Sequence, residues 1–228
     1  MRAFLTFVFL CFASPVFAGE LICEGDSQTA VRSPVTAAQT WCAIVAGKLG
    51  YTYQNFAVGG STTADVKSRL ATDLAASSGG CVVVMIGANN AFIPTSTTVS
   101  NSVEWTTPVT PPSPGTTLAT YQNDLVDIVN TVQAAGRSIS FVTPWSFWST
   151  PELVQFTFYV RGMQDIGVRK GVTVLDAFHI QNDLWWNLNS NLWTVYETDY
   201  QHPNANGHAK IAELFTQERN SGSCAYHP

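Results

Sequence analysis

The chain reads as an α/β protein on two observations. Short apolar runs alternate with longer amphipathic ones, and one short run, Val82-Val83-Val84-Met85-Ile86, is unbroken, as in a parallel strand buried on both faces. Strands are predicted at Glu20 to Cys23, Thr52 to Phe56, Cys81 to Ile86, Ser138 to Val142 and Val172 to Leu175, five in all. Helices fit between them. The first, Pro34 to Leu49, opens on a proline, which an early helical position tolerates, and the second runs from Thr62 to Ala76. The third runs from Leu118 to Ala135 and stops at Gly136, and the last covers Asn206 to Arg219.

Of the 228 residues 46% are hydrophobic and 12% charged, which suits one globular domain and excludes a disordered chain. Lys and Arg number 11 against 16 Asp and Glu, a formal charge of -5 with no basic run, so the phosphate-neutralising surface of a nucleic-acid binder is missing. Residues 1–18 read as a secretory signal: Met1 and Arg2 carry the charge, Ala3 to Phe12 the apolar run, and Val16-Phe17-Ala18 a small-residue cleavage site. The apolar run is about half the roughly twenty residues of a spanning helix, so no stable membrane anchor is expected. The expectation is a secreted or periplasmic protein, cleaved near Ala18, whose residues 19–228 form a single domain. Cys11 leaves with the signal, and Cys23, Cys42, Cys81 and Cys224 remain as an even set suited to disulfides outside the cytosol. These four cysteines lack CxxC spacing and the histidines show no HExxH pattern, so no metal site is expected.

Gly25-Asp26-Ser27 falls just past the first predicted strand, at the edge where α/β sheets present ligands and reactive groups. Near the C-terminus stands Asp199-Tyr200-Gln201-His202-Pro203, in which a carboxylate three residues before a histidine can hold its ring while Pro203 stiffens the backbone. Serine is a weak nucleophile at neutral pH, so an imidazole must take its proton and a carboxylate must orient that imidazole. Attack on an ester carbonyl builds charge on oxygen, which calls for donors fixed in advance. Asn55-Phe56-Ala57-Val58-Gly59-Gly60 after the second strand and Gly87-Ala88-Asn89-Asn90 after the third offer them on the same sheet edge.

These four blocks, in this order, resemble the SGNH, or GDSL, hydrolase family, over about Leu21 to Phe215. The resemblance implies a three-layer α/β/α flavodoxin-like fold with a five-stranded parallel sheet and no cofactor. It also implies Ser27 as nucleophile and oxyanion donor, Gly60 and Asn89 as further oxyanion donors, and Asp199 and His202 as the rest of a triad. The family usually carries aspartate after the oxyanion asparagine, and here Asn90 stands in its place. A second Asp-x-x-His, Asp176 to His179, ends the fifth strand, but the family's pair immediately precedes the last helix, as only His202 does. His179 is therefore read as a loop or partly buried histidine, and His208 and His227 as surface residues.

Ala91 to Thr117 is a long loop rich in Ser, Thr and Pro, and because candidate site residues lie on both sides of it, it is an insertion bordering the site. Trp145 and Trp148 follow the fourth strand, while Trp185, Trp186 and Trp193 precede Asp199 and offer flat surfaces on which a sugar or aromatic group stacks. The expected activity is a serine esterase acting through an acyl-enzyme on a small-molecule or polysaccharide ester, with carbohydrate O-acetyl esters favoured. A short-chain or lipid-directed esterase or lipase, and a noncatalytic carbohydrate-binding domain on the same fold, stay open. Four cysteines allow three pairings. The final helix runs away from the catalytic edge and should bring Cys224 beside Cys81, which leaves Cys23 with Cys42.

Overall fold

The computed structural model describes residues 19–91, 116–145, 150–179, 195–199 and 201–217. The expected signal segment, most of the Ser/Thr/Pro-rich loop, Trp148, Trp185, Trp186, Trp193, Cys224 and His227 lie outside the described residues.

Five strands, β1 (Glu20–Gly25), β2 (Thr52–Asn55), β3 (Cys81–Met85), β4 (Ser138–Val142) and β5 (Thr173–Leu175), form one parallel sheet in the order β2-β1-β3-β4-β5. This is the flavodoxin-like order, and the three-layer α/β fold expected from the sequence is the fold observed. Strand side chains alternate between two cores, as the pleat requires. Leu21, Cys23, Val83, Met85 and Val142 face α1 (Trp41–Leu49) and α6 (Ala205–Gln217), where Trp41 stacks on Phe215 at 5.6 Å between ring centroids. Ile22, Val82, Val84, Ile139 and Phe141 face α2 (Thr63–Ala75), α4 (Leu118–Ala134) and α5 (Thr150–Lys170). A short α3 (Ala88–Ala91) follows β3.

The five strands lie where the sequence places them, to within two residues at either end. The helix expected over Pro34 to Leu49 is shorter. Ala37–Gln39 make a separate 3-10 turn and α1 begins at Trp41, because Thr40 stays extended and its side chain accepts from the Ala43 N–H to cap the helix. The expected last helix begins one residue early, at Ala205, and residues 218 and 219 of its span lie outside the described residues. Besides the single turn of α3, two features had no counterpart in the sequence reading. α5 runs 21 residues through Phe156, Phe158, Tyr159 and Val160, strand-forming types that mask its helical period, and its Gly167 passes so close to β5 that a Cβ there would lie 2.3 Å from Val174. The other is the antiparallel pair β6 (Glu197–Asp199) and β7 (His202–Pro203), too short to leave a pattern.

Cys23 and Cys42 form a disulfide with Cα atoms 6.2 Å apart, joining β1 to α1 as expected. Cys81 is also disulfide-bonded. No helix among the described residues is long and apolar enough to cross a membrane.

Candidate active site

The sheet order reverses between β1 and β3, and the chain leaves these two strands toward opposite faces, opening a crevice at their C-terminal ends. Ser27 stands in the turn that leaves β1. Gly25 approaches the Met85 carbonyl so closely, with φ at 152°, that a Cβ would lie 2.2 Å from that oxygen, so only glycine fits there. The Asp26 carbonyl then accepts from the N–H groups of Thr29 and Ala30, and its side chain accepts from the Gln28 N–H, closing the turn around Ser27. Burial pushes the Asp26 carboxyl up to about 7.

The β6–β7 pair delivers the other two groups. Asp199 Oδ1 accepts from the backbone N–H of Gln201 and of His202, each at 3.0 Å, which fixes the carboxylate over the turn. His202 Nδ1 donates to the same oxygen at 2.7 Å, leaving Nε2 to accept from the Ser27 hydroxyl at 2.9 Å. Arg32 Nη1 donates to the second carboxylate oxygen at 3.0 Å. Burial lowers the pKa of His202 below its ordinary value, the Asp199 carboxylate opposes that shift, and the Arg32 cation adds to it. For Asp199 burial works toward the neutral form, and the hydrogen bonds from His202 and Gln201, with Arg32, outweigh it and hold the carboxyl low.

Gly60 has φ 81°, the left-handed conformation glycine adopts without strain, and nothing stands within 4 Å of where its Cβ would be. The adjoining Gly59 lies against Ser27, its Cβ position 3.7 Å from the serine Cβ. Among the described residues neither the Ser27 nor the Gly60 N–H has a hydrogen-bond acceptor. Asn89 Nδ2 donates to the Ser61 carbonyl at 2.9 Å, which holds the amide beside this loop and leaves its other hydrogen available. Asn90, the departure from the family pattern, is buried and works both ways: its Oδ1 accepts from the Thr63 N–H and its Nδ2 donates to Thr63 Oγ1, which donates to Asp124. The amide thus ties the start of α2 to the turn after β3.

Three contributors escaped sequence reasoning. Gln28 is buried, and its amide accepts from the Trp145 N–H and donates to the Trp145 and Gln201 carbonyls, lashing the Ser27 turn to the loops after β4 and before His202. Its one signal is a buried-turn position immediately after the serine. Arg32 and Arg69 carry no local signal, since their partners are distant in sequence. His208, expected at the surface, is buried instead: Nδ1 accepts from the Trp41 N–H at 3.2 Å, satisfying an amide at the start of α1 that has no partner within the helix. His179 is exposed and bonds Asp176 at 2.5 Å, with Asp176 also accepting from its backbone N–H. Both Asp-x-x-His segments therefore make the same local turn, and only His202 meets a serine.

A serine, an imidazole and a carboxylate stand in one hydrogen-bonded relay, an arrangement that can remove the proton from a serine hydroxyl. At the switch point of a flavodoxin-like sheet this relay is the candidate site for ester hydrolysis. The profile of the GDSL-like lipase/acylhydrolase family matches residues 23–210, and the chain belongs to that family. Solved structures resemble the fold. A catalytic mutant of Axe2, an acetylxylan esterase from Geobacillus stearothermophilus, is 21% identical with a TM-score of 0.69, over 88% of this chain and 93% of that one. LAE5, an α/β hydrolase enzyme from the metagenome of Lake Arreo, Spain, is 18% identical with a TM-score of 0.70, over 93% and 99%. None of the curated proteins matches the chain in sequence.

Proposed function

We propose that the chain is an exported serine esterase that cleaves carboxylic esters through an acyl-enzyme, with residues 19–228 as one catalytic domain. The observation that carries this reading is the relay from Ser27 Oγ through His202 to Asp199, at 2.9 and 2.7 Å. Ser27 Oγ attacks the ester carbonyl while His202 Nε2 takes its proton, and the oxygen of the tetrahedral adduct gains the charge. The N–H groups of Ser27 and Gly60 and the Asn89 amide receive that oxygen. On collapse the C–O bond to the alcohol breaks, His202 returns the proton to the departing oxygen, and the acyl group stays on Ser27. Water then attacks with its proton passing to His202, and release of the acid restores the serine. Asp199 remains ionised throughout and stabilises the imidazolium formed in each half.

Carbohydrate O-acetyl esters are the proposed substrates, with Trp185, Trp186 and Trp193 as the stacking surface. The similarity of the fold to Axe2, an acetylxylan esterase, supports the substrate class, and the Cys23–Cys42 disulfide supports export from a reducing compartment. Hydrolysis of p-nitrophenyl acetate by the parent protein and by Ser27→Ala tests the reaction, and equal rates contradict it. Acyl series from acetate to decanoate, run beside acetylated xylan, test the substrate: preference for decanoate with no acetate release from the polysaccharide excludes the carbohydrate assignment.

A further inference from the structure

Behind the catalytic edge lies a buried charged cluster that the hydrolytic steps do not use. Its centre is Arg69, midway along α2 and mostly buried. The guanidinium donates through Nη1 to Ser61 Oγ at 3.0 Å, and through Nη2 to the Gly25 carbonyl at 3.0 Å and Glu24 Oε2 at 3.1 Å. Its Nε lies 3.5 Å from Asp73 Oδ2. Glu24 is fully buried in β1, and burial pushes its carboxyl up to about 8, with the Arg69 cation opposing the shift and Asp73 adding to it. Glu24 Oε1, Arg69 Nε and Asp73 Oδ2 are buried and have no hydrogen-bond partner among the described residues.

Burying such a group of charges gains little stability over a well-packed apolar cluster, so its geometry is the feature to explain. Each neutral acceptor of Arg69 belongs to a segment that carries a proposed oxyanion donor. Gly25 lies two residues before Ser27, and its carbonyl also accepts from the Val58 N–H of the glycine loop. Ser61 follows Gly60, and its carbonyl holds the Asn89 amide at 2.9 Å. One planar fork therefore spans the Ser27 turn and the Gly60 loop, and through Ser61 it reaches Asn89.

We propose that Arg69 is a positioning residue of the esterase, fixing the Ser27 turn against the Gly60 and Asn89 donors so that the oxyanion hole is set before substrate arrives. Donors held in advance act only on the charge that develops in the transition state, and displacement of about 1 Å costs on the order of a hundredfold. The inference rests on the serine-esterase reading above.

The test measures kcat and KM for p-nitrophenyl acetate and the Ki of phenylboronic acid, whose tetrahedral adduct imitates the intermediate, in the parent, Ser27→Ala, Arg69→Met, Arg69→Lys and Ser61→Ala. Arg69→Met should lower kcat roughly tenfold to a hundredfold, weaken the boronic acid by a similar factor and leave KM within about twofold. Arg69→Lys should recover part of both losses, since an ammonium keeps the charge without the fork. Ser61→Ala, which removes one hydroxyl and spares the cluster, should move both quantities the same way by less, and it carries the test if Arg69→Met does not fold. Unchanged kcat and boronate affinity in Ser61→Ala and Arg69→Lys, or a rise in KM alone, overturns the positioning role while an inactive Ser27→Ala keeps the esterase reading. Full activity of Ser27→Ala overturns both.

Discussion

In the proposed mechanism His202 is the base of Ser27, and each contact around that pair has its own signature in activity. Replacing Asn89 by Ala removes an amide from the proposed oxyanion hole and should lower kcat by about a hundredfold to a thousandfold; a circular dichroism melt matching the parent separates this from lost folding. His202 must be neutral to take the serine proton. Burial lowers its pKa, so kcat/KM should rise with pH through a midpoint below the ordinary value of about 6.5 and then level off. The Arg32 cation contributes to that lowering, so Arg32→Ala should move the midpoint up, which a pH–rate profile of the variant measures. At this scale the sequence was most legible where the chemistry is local. Gly25-Asp26-Ser27 and Asp199-x-x-His202 are short turns whose residue types dictate their shape, and both turns were visible. Gln28, Arg32 and Arg69 were not, because each acts on a partner more than forty residues away in at least one bond, and no spacing records that.

At the scale of elements, the two cores differ in what holds them to the sheet. α1 and α6 meet through Trp41, Phe215 and the His208 contact to the Trp41 N–H, so protonating His208 would remove the acceptor at that junction. Burial lowers its pKa to about 4, so between that value and the unfolded value of about 6.5 the unfolded chain binds the extra proton. The stabilisation is complete above about 6.5 and is lost as pH falls toward 4. Thermal melts from pH 7 to 4 should show a steep acid decline in the parent and a shallower one in His208→Asn, and parallel declines contradict this. Glu24 works in the opposite sense: its folded pKa near 8 lies above the unfolded value, so its contribution is lost as pH rises through 8. Strands were read well because burial on both faces leaves an apolar run, as in β3. α5 was missed because its aromatic and β-branched residues answer to tertiary packing against α4 and β5, and β6–β7 because two or three residues carry no period.

For the molecule as a whole, the flavodoxin-like order places the ends of β1, β2 and β3 side by side, and the chain returns through α5, β5 and the β6–β7 pair to bring His202 to Ser27 across 175 residues. That closure gives the Cys23–Cys42 bridge a global role, since it pins β1, the strand leading to Ser27, to the helix behind it. A bond closing a loop of this length stabilises a fold by about 3 kcal/mol through the unfolded chain, so Cys23→Ala/Cys42→Ala should lower Tm by roughly 10 °C in differential scanning calorimetry. An unchanged Tm would show that the bridge adds nothing to the packed α1–β1 contact. The proposed esterase chemistry requires Ser27 to become covalently modified. Intact-mass measurement after treatment with a fluorophosphonate, followed by peptide mapping, should give one adduct on Ser27 that is absent from Ser27→Ala and slow to form in His202→Ala; labelling of another residue with Ser27 untouched would contradict it.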